Sequence, residues 1–90
     1  MLADPDRAQR FAHVVLGPLA EDSPEAERLR ETLRAYFACQ ESKAAASTEL
    51  RVHQKTVAYR LRRAAELLGG SVEARKTELD AALMILDTLR

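Results

Sequence analysis

The chain is poor in everything that staples a fold or spans a bilayer. A single cysteine, Cys39, stands among 90 residues. It can form no intramolecular disulfide, and a lone thiol fits a reducing compartment. Tryptophan is absent, and the other aromatics are Phe11, Tyr36, Phe37 and Tyr59. A core must therefore come from Leu, Val, Ile and Ala. Glycine and proline number three each, too few for a low-complexity chain. No apolar run reaches the roughly 18 residues of a membrane span. The opening MLADPDRAQR carries acids and lacks an apolar segment, unlike a secretory signal. A cytoplasmic place is expected, without a membrane.

Signatures of metal sites and catalysis are missing too. His13, His53 and Cys39 have no metal-ligand spacing. There is no nucleophile elbow and no glycine-rich phosphate loop. No catalytic residue, metal or cofactor is expected, and the chain is not expected to be an enzyme.

What is present suits a folded helical domain. The composition is 47% apolar and 31% charged, and a chain of this length makes one domain, 1–90, that buries about 60% of its unfolded surface. The net charge of zero hides an asymmetry. Residues 43–63 hold Lys43, Arg51, Lys55, Arg60, Arg62 and Arg63 against Glu49 alone, a net of +5. Residues 1–42 carry −3 and residues 64–90 carry −2. A basic block between acidic flanks is either a solvated face or a surface for phosphates.

Apolar spacing predicts an all-α fold of about five helices and no strand-like alternation. Asp4 or Asp6 caps a first helix to about Leu16, with Phe11, Val14 and Val15 on its apolar side and Gly17-Pro18 as its stop. Ser23 and Pro24 open a second helix to about Gln40. Its stripe is Ala26, Leu29, Leu33, Tyr36 and Phe37. Ser42 caps a short helix from Lys43 to about Leu50. Another helix opens at or beside His53. Val57, Leu61, Ala64, Ala65 and Leu68 face inward on it, and Gln54, Lys55, Ala58, Tyr59 and Arg62 face outward. Gly69-Gly70 stops it. Ser71 caps the last stretch, about 72–89, with a firm helix from Ala74 to Leu89. Leu79, Ala82, Leu83, Leu86 and Leu89 make its stripe. Ala81 and Ile85 widen that stripe beyond what one packing partner needs, and Met84 lies outside it.

Two short helices joined by a tight turn, the second basic and exposed, define a helix-turn-helix, here about 42–68. Small residues Ala44, Ala45, Ala46 and Ser47 let the helices approach. Leu50, Val52, Val57 and Leu61 anchor them. The exposed side of the second helix, about 53–68, then enters the DNA major groove.

The run SKAAASTELRVHQKTVAYRLRRAAELLG resembles the C-terminal helix-turn-helix of the PucR family of bacterial transcriptional regulators. The matching positions are Leu50, Val52, His53, Thr56, Val57, Tyr59, Arg60, Leu61, Arg63, Glu66, Leu67 and Gly69. LGPL (Leu16 to Leu19) and LRETLRAYF (Leu29 to Phe37) resemble the helices that precede it. The chain departs from the pattern at Ser47, where Ala is usual, and at Ala58, where Arg or another polar residue is common. Arg51 stands where many other helix-turn-helix proteins have Gly. The resemblance implies sequence-specific binding of double-stranded DNA by a cytoplasmic, nucleoid-associated transcription regulator. Family members usually carry a large N-terminal sensory region, so it further implies the DNA-binding end of a longer regulator or a stand-alone remnant.

Gln54 is suited to adenine and Lys55 to guanine. Tyr59 reaches a phosphate or simply packs on its helix. Lys43, Arg51 and Arg62 are phosphate partners, and His53 is an N-cap or a phosphate contact. Thr56 is structural or a backbone contact. Arg62 lies about 160° from Arg60 and about 100° from Arg63 on the helix wheel, so the three arginines cannot all face DNA; Arg63 is placed at the groove's edge, and Arg60 against an acid of a neighbouring helix. Cys39 is expected to be a buried small residue. The wide arc of the last helix implies a homodimer. The alternative is a protein-interaction or dimerisation module that keeps the fold without reading DNA.

Overall fold

The computed structural model describes residues 4–89, so the expected domain limits at 1 and 90 lie outside the described residues. It contains α1 (Pro5–Leu16), a 3-10 turn (Gly17–Ala20), α2 (Pro24–Ala38), α3 (Lys43–Leu50), α4 (Gln54–Leu68) and α5 (Lys76–Leu89), with no strand among the described residues. Four of the five helices open on a side-chain cap that accepts an otherwise orphaned backbone N–H. Asp4 takes those of Asp6 and Arg7, Ser23 that of Ala26, and Ser42 that of Ala45. His53 accepts the Lys55 N–H on its Nδ1 at 3.0 Å.

Three helices end in one way. After α2, α3 and α4 the chain passes through a left-handed residue: Gln40 (φ 53°), Arg51 (φ 59°) and Gly69 (φ 77°). The next N–H reaches back five residues in each: Glu41 to Tyr36, Val52 to Ser47 and Gly70 to Ala65. This is the Schellman ending, which satisfies the last carbonyls. Only the third uses glycine, the residue without a steric penalty there. The left-handed pair Gln40 and Glu41 stops α2 at Ala38, short of Gln40.

α1 lies along α5, while α2 and α3 both pack on α4. Leu16, Leu19, Leu29, Leu33, Val57, Leu79, Leu83 and Leu86 are fully buried between them. The predicted α2 stripe is buried throughout. Several expected positions differ. Ala12, Val15 and Leu16 form the inner side of α1, leaving Phe11 42% and Val14 81% exposed. The reason is α5, which covers the Ala12 and Val15 side, so Phe11 only edges the seam beside Thr77 and Ala81. α5 begins at Lys76, since the Ser71 hydroxyl caps the Ala74 N–H of a separate turn over 72–75. Leu89 is exposed at the end of α5, beyond the reach of the core. Cys39 is only half-buried because α2 has already ended at Ala38. Of the small residues in α3, Ala46 alone is fully buried; Ala44 and Ala45 face water.

Sequence reasoning missed Arg30. It lies on the α2 stripe, four residues after Ala26 and three before Leu33, and is 3% exposed. Its guanidinium donates to the carbonyls of Leu19 at 2.6 Å and Glu21 at 2.9 Å. A buried cation thus satisfies the end of the 3-10 turn, whose carbonyls lack helical partners.

Candidate nucleic-acid interface

α3, the turn Arg51–Val52–His53 and α4 form the helix-turn-helix. Val57, Leu61 and Ala64 are buried and hold α4 to the core, with Leu50 and Val52 packed half-buried beside them. This fixes which way α4 turns its other side. Gln54, Lys55, Tyr59 and Arg62 are exposed there, and Ala58 and Thr56 are half-buried. At 100° per residue, Gln54, Lys55, Ala58, Tyr59 and Arg62 fall within about 140° of the helix circumference. Lys43 at the start of α3 and Arg51 and His53 in the turn are exposed, and Lys43 lines a hollow with Ala58 and Arg62 of α4.

The arginines divide by partner. Arg63 donates from Nε to Glu25 of α2 at 3.1 Å and lies 3.5 Å from Glu66. These carboxylates raise its pKa, the Glu25 hydrogen bond most. The cross-helix ion pair expected of Arg60 is thus made by Arg63. Arg63 therefore stands at the border of the outward face, about 100° from Arg62 and about 40° from Tyr59, with its charge turned to Glu25.

His53 serves as the N-cap, one of its two expected roles, and its Nδ1 is committed to the Lys55 N–H. That bond holds the first turn of α4, the turn carrying Gln54 and Lys55. The Arg51 backbone is left-handed without glycine, so the tight turn is made at some steric cost and still keeps a cation at its apex.

Behind α4 a second set of contacts fixes the next turn. The Tyr36 hydroxyl donates to Glu73 at 2.7 Å, and the Ser71 hydroxyl donates to the other oxygen of that carboxylate at 3.2 Å. Burial first, then the Glu73 hydrogen bond, pushes the Tyr36 phenol up to about 12. The same Tyr36 bond, with help from the Glu73 backbone, Ser71 and the Lys43 charge, holds the Glu73 carboxyl below its usual range. Among the described residues no cluster of three His, Cys, Asp or Glu side chains comes together to hold a metal. No helix among the described residues is long and apolar enough to cross a membrane.

A five-helix fold with this helix-turn-helix is an architecture that DNA-binding regulatory domains use. Residues 29–85 match the PucR C-terminal helix-turn-helix domain, and the chain belongs to that family of DNA-binding domains in transcription regulation. It is also 37% identical over 68 residues to a Thermomonospora curvata protein described as an uncharacterized protein in the pkwA 5′ region. That match covers 76% of this chain and spans 38% of the relative's length. No solved structure matches the chain.

Proposed function

We propose that this chain is a sequence-specific DNA-binding domain of a bacterial transcription regulator, acting in the cytoplasm on the nucleoid. α4 enters the major groove N-terminus first. Gln54 and Lys55 meet base edges, with Tyr59 beside them. Lys43, Arg51 and Arg62 meet phosphates, joined by backbone N–H groups at the helix starts. Thr56 and His53 hold the first turn in place. Two copies bind together through α5, with recognition helices about 34 Å apart on successive turns of the duplex.

The observation that carries this reading is the exposure of Gln54, Lys55, Tyr59 and Arg62 on the side of α4 turned away from the buried Val57, Leu61 and Ala64, with Arg63 at the border of that side paired to Glu25. With Lys43, Arg51 and Arg62 on phosphates, each bound copy displaces counterions from about three phosphates. Log K should then fall with log[salt] at a slope of about −2 to −3 per copy. Fluorescence anisotropy with duplexes selected from a random pool measures it. Lys55→Ala with Arg62→Ala should abolish retention of the selected duplex while the thermal melt stays unchanged. Equal retention by that double variant, or an affinity indifferent to salt, would leave a protein-interaction module as the better account.

A further inference from the structure

Ala58 sits where the outward side of α4 turns toward the rest of the fold. It is half-buried, while Gln54, Lys55, Tyr59 and Arg62 around it are exposed. It forms part of an open hollow of about 300 Å³, shared with Leu61, Ala65 and Val72. The rim carries Lys43 and Arg62 on the one hand, and Ser71 and Glu73 on the other. The floor is thus apolar and two cations stand at its edge. The one acid on the rim is engaged: the Glu73 carboxylate accepts from Tyr36 and Ser71 and feels the Lys43 charge. Such a surface suits a group that is apolar where it meets the floor and carries negative charge beside Lys43 and Arg62.

We propose that Ala58 and the hollow beside it read the 5-methyl group of a thymine. This rests on the DNA-binding reading above and deepens it. In the major groove the thymine methyl is the one apolar feature of a base edge, and an alanine methyl is a fitting contact for it. Neither Gln54 nor Lys55 can report that methyl, because both read by hydrogen bonding. Arg62 and Lys43, at the edge of the hollow, take the phosphates that hold the base step in register. The small side chain at Ala58 is therefore a specificity element: a longer polar residue would cover this part of the floor and keep the methyl from it.

The test uses the full chain and a duplex selected from a random pool. Each thymine is replaced in turn by deoxyuridine, which removes only the methyl. One thymine per half-site should prove sensitive, its loss weakening binding about fourfold, the effect of one methyl-sized burial. Ala58→Gly should bind the thymine and deoxyuridine duplexes equally. Because glycine weakens a helix, Ala58→Gln is the second variant; it keeps helix propensity, covers the floor and should likewise lose the preference. If no thymine is sensitive, or if the sensitivity persists in both variants, the inference is overturned while DNA binding stands. If no duplex is selected at all, the DNA-binding reading fails and takes this inference with it.

Discussion

Arg51 is a charged residue in a backbone conformation that favours glycine, with φ at 59°. Replacing it with glycine separates two roles. Arg51→Gly removes the left-handed penalty of about 1–2 kcal/mol, offset by the larger unfolded-state entropy of glycine. A net gain of about 0.5–1 kcal/mol is expected in urea unfolding. The same change should weaken DNA binding and make the salt slope shallower by about 0.9 per copy, since one phosphate contact is lost. A more stable protein that binds less well is the expected pair of results; unchanged affinity would remove Arg51 from the interface. Arg30 has the opposite profile. Arg30→Met leaves the buried Leu19 carbonyl and the Glu21 carbonyl without their donor, at a cost of about 2–4 kcal/mol in the same assay. Nothing places Arg30 near α4's outward side, so the fraction that folds should bind duplex with its original salt slope.

At the scale of elements, the Tyr36–Glu73 contact joins α2 to the turn between α4 and α5, and it is sensitive to pH on both sides. The Glu73 carboxyl is depressed in the folded protein, so its stabilisation is present above its ordinary value and is lost as pH falls through the folded one. The Tyr36 phenol is raised from 10.0 to about 12, so its contribution is complete below 10.0 and declines as pH rises toward and past 12. Stability followed by chemical denaturation should therefore drop at both extremes. Tyr36→Phe should abolish the phenol's alkaline contribution and flatten the acid limb, leaving Ser71 and Lys43 to hold Glu73. An unchanged acid limb in that variant would show that this contact does not secure the turn. How legible such elements are in sequence depends on the range of their causes. The Ser23-Pro24 start, the Ser42 cap and the α2 stripe follow from neighbours within one or two turns. Arg63 defeats local reading because its partner Glu25 is 38 residues away. Phe11 and Val14 look like an inner side until α5 chooses Ala12 and Val15 instead. Gln40 and Arg51 carry no side-chain mark of a left-handed backbone, whereas Gly69 does. Arg30 did leave a signal, a charge standing on an apolar stripe, which in a buried setting demands polar partners.

For the whole molecule, the open question of assembly lies on the side formed by α1 and α5. Thr77, Ala81, Met84, Ile85 and Thr88 run along α5 without a charge among them, and Met84 is 68% exposed. Met84, Ile85, Thr88 and Leu89 share a hollow of about 330 Å³ with Pro5 and Ala8 of α1. Few single chains leave such a surface to water without use, and a second copy related by a two-fold axis is the occupant that the dimer reading supplies. Met84→Asp places a carboxylate in the middle of that surface without touching the core, so the monomer should keep its melting temperature. Sedimentation equilibrium should show a dimer for the parent chain and a monomer for the variant. DNA binding adds a second readout. Two linked recognition helices gain from effective concentration, and losing the link should cost about 10²-fold or more on a two-half-site duplex. A single half-site should be bound with nearly the same affinity by both proteins. If the parent chain sediments as a monomer in the presence and absence of duplex, α5 is not the dimer surface, and each domain must find its half-site alone.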